Sequence, residues 1–190
     1  MSLTPSNMIP LGTEAPNFSL YDTTTGQIKN LDDLKGEKAT IVMFICNHCP
    51  YVKHIQTQIV QVANIYLNRG VRCIAISSND VASHPDDAPE KMKEVAKRYN
   101  FPFPYLFDEK QTVAKAYDAA CTPDFYVFDE HLKLIYRGQF DDSRPSNKVP
   151  VSGKDISDAL DNLLQGKPVS VFQRPSIGCN IKWKHTMHDL

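Results

Sequence analysis

Residues 39–45, Ala-Thr-Ile-Val-Met-Phe-Ile, form an unbroken apolar run rich in β-branched side chains. That pattern predicts a central strand buried on both faces. Beyond a short polar break, Val52, Ile55, Ile59, Val62, Ile65 and Tyr66 recur at steps of three and four, with Lys53, Gln56, Gln61 and Asn64 between them. This is the spacing of an amphipathic helix, ended by Asn68-Arg69-Gly70 with Gly70 as its left-handed cap. A second buried strand is predicted over 71–77, and a helix over 89–99 behind the loop carrying Pro85 and Pro89. Phe101-Pro102-Phe103-Pro104 breaks the pattern. Residues 105–107 then read as short and extended, and 113–117 as one or two helical turns.

The flanks add a hairpin at each end. Residues 18–21 and 27–29 flank Thr-Thr-Thr-Gly, and 124–128 and 132–137 flank Asp129-Glu130-His131, both hairpin signals. Ile156, Leu160, Leu163 and Leu164 share one face of a last helix that stops at Gly166. The first dozen residues and the last two dozen show no periodicity and are expected to be irregular. The order is β-α-β-α, then β-β-α, which implies a parallel pair with a crossover helix followed by an antiparallel pair and a closing helix.

Composition narrows the function. The 190 residues carry 42% hydrophobic and 23% charged side chains, with a formal net charge of -1. These are values of a globular chain with no basic arm or acidic tail for nucleic acid. The N-terminal residues lack a basic segment followed by an apolar run, so no signal peptide is expected. The run 39–46 is far too short to span a bilayer. A cytoplasmic location is the default expectation, with neither nucleic acid nor membrane as partner.

Five cysteines are present, Cys46, Cys49, Cys73, Cys121 and Cys179. An odd number without a leader argues against a secreted disulfide scaffold and for catalytic or metal-binding thiols. Cys46-Asn47-His48-Cys49 falls between the predicted central strand and the long helix. A cysteine at a strand-to-helix turn lies beside unpaired N–H groups and the positive end of the macrodipole, which favour a thiolate. The second cysteine, three residues on, falls on the same side of the first turn. Cys46 is therefore expected to be the exposed attacking thiol and Cys49 the more buried resolving thiol. A protonated His48 would add a cation and make the disulfide more oxidising. Pro50 is tolerated in the first turn but biases Cys49 away from helical geometry, so the regular helix is expected to begin at Cys49 or Pro50.

Two other readings of the turn stay open. The dithiol could be structural. Cys46, His48, Cys49 and His54 could also form a soft metal site, as in a copper chaperone, although structural zinc sites usually draw on two spaced pairs and no second Cys-x-x-Cys exists.

At these residues the chain resembles the alkyl hydroperoxide reductase and thiol-specific antioxidant (AhpC/TSA, redoxin) superfamily of the thioredoxin fold. More narrowly it is similar to a peroxiredoxin-like group carrying Cys-Asn-His-Cys-Pro-Tyr-Val-Lys-His, here residues 46–54. Other stretches of the same resemblance are Ser78-Asn79-Asp80, Pro102-Phe103-Pro104-Tyr105, Cys121-Thr122-Pro123-Asp124-Phe125, the run from Tyr136 to Pro145 and the run from Ser176 to Lys184. It covers residues 11 to 184. The resemblance implies an α/β thioredoxin-like fold, a central mixed sheet flanked by helices, with an N-terminal hairpin and a C-terminal extension. It implies that Thr122-Pro123 is the loop facing the dithiol, with Pro123 cis, and that Cys121 lies near it. It also exposes a departure. Aligned on the peroxiredoxin motif Pro-x-x-x-Thr/Ser-x-x-Cys, Cys49 takes the peroxide-attacking place, but Cys46 replaces Thr/Ser and Val42 replaces Pro.

The expectation is a thiol–disulfide oxidoreductase using Cys46 and Cys49, with His48, Thr122, Pro123 and Cys121 as further site residues and no cofactor. A thiol-dependent peroxidase and a metal-binding protein are the alternatives. The partner would be a disulfide-containing protein or small-molecule disulfide, or a peroxide; nothing names the electron donor. The domain is expected over 11–166, with 167–190 as a tail packed on it. Cys121 could be a third redox thiol, could pair with Cys179 or could simply be packed. Cys179 could lie on a tail folded over the site. Cys73 reads as core, Trp183 as an anchor for the tail, and Arg144 as a salt-bridge partner of Asp141 and Asp142 or else a guanidinium for an anionic thiol or substrate. His54, His84, His131, His185 and His188 read as surface or packing histidines.

Overall fold

The computed structural model describes residues 3–184; His185 and His188 lie outside them. The strands are β1 (Leu3–Pro5), β2 (Ser19–Asp22), β3 (Gln27–Asn30), β4 (Ala39–Phe44), β5 (Val71–Ser77), β6 (Tyr105–Phe107), β7 (Cys121–Thr122), β8 (Asp124–Asp129), β9 (Leu134–Gly138) and β10 (Ile177–Asn180). The α-helices are α1 (Leu31–Leu34), α2 (Pro50–Leu67), α3 (Pro89–Arg98), α4 (Thr112–Ala116) and α5 (Lys154–Leu164).

Seven strands form one mixed sheet in the order β3-β2-β6-β5-β4-β8-β9. β4 pairs parallel with β5 and antiparallel with β8. All six β4 residues are buried, as an apolar run without alternation requires. Its side chains divide between two cores. Ile41 and Met43 pack with Val52, Ile55 and Ile59 of α2, with Met92 of α3 and with Leu160 of α5. Val42 and Phe44 pack with Leu31 of α1 and with Val113, Ala114 and Tyr117 in and beside α4. The expected α/β architecture of a mixed sheet flanked by helices is what the chain adopts.

α2 buries Val52, Ile55, Gln56, Ile59, Val62, Ala63 and Tyr66. Ile65, expected on that stripe, is exposed, and Gln56, expected outside it, is buried. The steps 52, 55, 56, 59, 62, 63, 66 keep the 3.6-residue phase, and position 65 does not. Gly70 has φ +80° and closes the turn into β5, as expected of a left-handed cap.

The ends of the chain differ from expectation. With β7 from the middle of the chain they form a separate three-stranded antiparallel sheet in the order β1-β10-β7. Its strands have three, four and two residues, too short to leave a period in the sequence. Backbone pairing between distant segments specifies them instead. Among the described residues, no helix is long and apolar enough to cross a membrane.

Candidate functional site

The chain leaves β4 at Phe44, makes the turn 46–49 and enters α2 at Pro50, with Cys49 as the N-cap residue. Pro50 at the first helical position accounts for this start, since its missing N–H would be unpaired there in any case. The helix end therefore acts on Cys49, and Cys46 lies before it on the strand side.

Asp87 holds the turn. It sits in the short 3-10 turn Pro85–Asp87 and is fully buried. One carboxylate oxygen accepts the backbone N–H of Asn47 at 2.7 Å and that of His48 at 3.3 Å. The other lies 2.6 Å from His48 Nδ1 and accepts the Asn79 amide at 2.8 Å. Burial alone would raise the Asp87 pKa, but the bonds from His48 and Asn79 and the charge of His48 bring it below the usual carboxylate range. Asn47 is tied further, donating to the Asp86 carbonyl at 2.8 Å and accepting from the Tyr105 hydroxyl at 3.1 Å. The His48 ring stacks on His84 at 4.8 Å, so His84 is half-buried against the site rather than a plain surface residue. Its pKa is lowered by burial first and then by His48.

Thr122-Pro123 is a cis peptide bond facing the turn. The Thr122 hydroxyl is 3.4 Å from the Cys46 sulfur, and the Thr122 carbonyl oxygen is 3.2 Å from the Cys49 sulfur. The Cys179 sulfur, carried on β10, lies 2.8 Å from Cys49. Three sulfurs thus gather around Thr122.

Cys46 is not the exposed thiol that the sequence suggests. It is 1% exposed, Cys49 0% and Cys179 3%. The electrostatics divide the two cysteines in the opposite sense as well. The Cys46 thiol is pushed well above its ordinary range by its hydrogen bond to Cys49, then by burial and the Asp87 charge. Cys49 is lowered to about 5, because Cys46 donates to it; burial opposes this, and Cys179 and the backbone N–H groups of Val52 and Cys179 add to it. As a neutral thiol Cys49 donates to the Thr122 carbonyl. As a thiolate it finds that oxygen unfavourable, but the two thiol donors and the helix end outweigh a single carbonyl. The Cys179 thiol is pushed up to about 12, by burial first and then by its bond to Cys49.

Other expected site residues separate from this group. Cys121 is fully buried and donates to the Pro123 carbonyl at 3.7 Å; burial, then the Asp124 charge, pushes its pKa up. It stands opposite Asn180 while Cys179 stands opposite Thr122, so Cys179 turns to Cys49 and not to Cys121. His54 bonds Ser143 at 2.7 Å, which removes it from the soft four-donor cluster. Cys46, His48 and Asp87 are the group whose donor atoms converge, within 4.8 Å of one another among the described residues. Among the described residues Arg144 forms no ion pair with an aspartate; it donates to the carbonyls of Asp141 and Ser143 at 2.6 and 2.7 Å and to Gln139 at 2.5 Å. Cys73 is half-buried, and Lys115 lies over the partly exposed Trp183 ring at 5.8 Å. Asp87 was invisible in the sequence, because a loop aspartate 39 residues beyond the turn carries no local signal.

Solved structures and curated proteins resemble this arrangement at several distances. An uncharacterized conserved protein from Geobacillus kaustophilus matches at 57% identity and TM-score 0.96, over 98% of both chains. The thioredoxin domain of a thiol-disulfide oxidoreductase from Bacteroides vulgatus shares the fold alone, at 19% identity and TM-score 0.57 over 68% of this chain and 89% of that one. Among curated proteins, chloroplastic peroxiredoxin Q of Oryza sativa subsp. japonica is 28% identical over 68% of this chain, which spans 59% of that relative's length. The thiol-disulfide oxidoreductase ResA of Bacillus thuringiensis subsp. konkukian is 26% identical over 70% of this chain and 71% of its own. The AhpC/TSA family model matches residues 11–137, the whole strand-turn-helix unit and the cis-proline loop included, and the chain belongs to the AhpC/TSA family.

Proposed function

We propose that this chain is a thiol–disulfide oxidoreductase whose redox pair is Cys46 and Cys49, with Cys49 as the attacking sulfur. The observation that carries this reading is the position of Cys49 at the N-terminus of α2, with Cys46 and Cys179 as donors that hold its pKa down. A thiolate is the nucleophile in disulfide exchange. Cys49 attacks a disulfide of a protein or small molecule and forms a mixed disulfide, releasing one thiolate. Cys46 then attacks the Cys49 sulfur, the mixed disulfide breaks, and the second thiol leaves as Cys46–Cys49 closes. The Asp87–His48 pair fixes the turn that sets the spacing of the two sulfurs. Relatives named as peroxiredoxins and as thiol-disulfide oxidoreductases agree with redox chemistry at this site.

The test is the pH profile of alkylation at Cys49 in the reduced protein, with reduction of a small disulfide measured alongside. Thiolate reactivity rises as pH passes upward through the pKa and is flat above it. Cys49 should be half-maximal near pH 5, several units below an ordinary cysteine at ~8.5. Cys49→Ser should abolish disulfide reduction. A Cys49 profile rising only near pH 8–9, or full exchange in Cys49→Ser, would overturn the reading.

One observation favours a second reading. The residue with the lowered pKa is the one that the resemblance aligns with the peroxide-attacking cysteine. In a peroxidase, hydrogen peroxide would leave a sulfenic acid on Cys49 that dimedone traps; the replacements Val42 and Cys46 in that motif weigh against it.

A further inference from the structure

We propose that Cys179 is a third redox thiol of this site, closing a disulfide with Cys49 during the exchange cycle. The inference rests on the proposed role of Cys49 and deepens it.

The two sulfurs are 2.8 Å apart. A disulfide is ~2.05 Å long, so closure needs an approach of about 0.8 Å. This proximity is built by the strand around Cys179. β10 is paired on both sides, with Cys179 opposite Thr122 of β7 and opposite Leu3 of β1. Ser176 donates its hydroxyl to the Pro123 carbonyl at 2.5 Å, and its backbone exchanges two hydrogen bonds with Ser6, at 2.9 and 2.8 Å. Beyond β10, the Ile181 N–H bonds the Ala120 carbonyl at 3.1 Å. Gly178 makes the approach possible, because a Cβ there would sit 2.0 Å from the Thr122 carbonyl oxygen. The residue beside Cys179 is thus one without a side chain, at the point where β10 crosses closest to the loop that faces the dithiol.

The step balances without another reagent. An external disulfide is attacked by the Cys49 thiolate, giving a Cys49 mixed disulfide and one free thiolate. The Cys179 proton passes to that thiolate, and the Cys179 sulfur attacks Cys49. The Cys49–Cys179 bond forms, the mixed disulfide breaks and the second group leaves as a thiolate, which takes its proton from water. Two protein thiols are oxidised and the external disulfide is reduced to two thiols. Cys46, hydrogen-bonded to Cys49, can then displace Cys179 and restore its thiol. Cys179 thereby provides a resolving route that does not need Cys46.

The experiment uses full-length Cys46→Ser, fully reduced and treated with bis(2-hydroxyethyl) disulfide. The reaction is quenched in acid, free thiols are alkylated, and non-reduced peptides are mapped by mass spectrometry. The expected result is a Cys49–Cys179 disulfide with no retained mercaptoethanol, and in Cys46→Ser/Cys179→Ser one mercaptoethanol per chain on Cys49. The decisive arm leaves Cys179 intact, so it does not depend on whether the double variant folds. Retention of mercaptoethanol on Cys49 in Cys46→Ser, with Cys179 alkylated, would remove Cys179 from the cycle while leaving Cys49 as the nucleophile. No adduct and no disulfide at Cys49 in either variant would instead overturn the proposed function, and this inference with it.

Discussion

The two sheets of this molecule are held together differently. In the seven-stranded sheet, β4, β5 and β8 have six, seven and six residues and are packed between helices. Hydrophobic burial on both faces fixes them, with their side chains divided between two cores. The three-stranded sheet has nine residues in strands and relies on backbone pairing, two serines and the absence of a side chain at Gly178. The large sheet positions Cys46 and Cys49; the small one brings Cys179 and Thr122 to them. The three sulfurs are therefore brought together by two parts of the chain, and short segments have the lower cost of opening.

Variants at three depths can break or sharpen this contrast. Met43→Ala removes a fully buried side chain from the large sheet and should cost about 3 kcal/mol. Chemical denaturation should show one cooperative transition at lower denaturant, while alkylation of Cys49 below that transition keeps its wild-type rate. Early exposure of Cys49 in that variant would show that the two sheets are not independent. Asp87→Asn comes next. The amide can accept with one atom only, so its NH2 faces either the backbone N–H groups of Asn47 and His48 or the His48 ring and the Asn79 amide; loss of the charged acceptor should cost about 2 kcal/mol. With the Asp87 charge gone, the Cys46 pKa should fall, read as faster alkylation of Cys46 in a Cys49→Ser background. Gly178→Ala is the most local: a Cβ there meets the Thr122 carbonyl oxygen, so β10 must shift, at about 3 kcal/mol of overpacking. It should leave the helices and the denaturation slope intact yet raise alkylation at Cys49 about a hundredfold. If its alkylation stays at the wild-type rate, docking of β10 does not control the site.

The same contrast explains what the sequence disclosed. The β4-α2-β5 unit was legible because an apolar run, a 3.6-residue stripe and Gly70 are local signals. The dithiol was legible by its place between strand and helix. Which sulfur has the lowered pKa was not: the shift at Cys49 comes first from the Cys46 hydrogen bond, then from Cys179, a long-range partner, and from backbone N–H groups; Pro50 held only the clue that the helix starts one residue past Cys49. Gln56 and Ile65 exchange places because the stripe keeps its phase across a polar residue. Asp87, β1 and β10 depend on contacts between segments tens to more than a hundred residues apart, and no local pattern announces such partners.

Burial of all three sulfurs also sets a kinetic ceiling. A reagent in bulk water meets none of these three sulfurs in the closed form, so β10 or the loop at Thr122 must lift before they react with it. At low oxidant the rate should grow with concentration; at high oxidant it should level off at the frequency of lifting. That plateau would be the same for a compact disulfide and a bulky one, so the protein, rather than its substrate, would keep the time of the reaction.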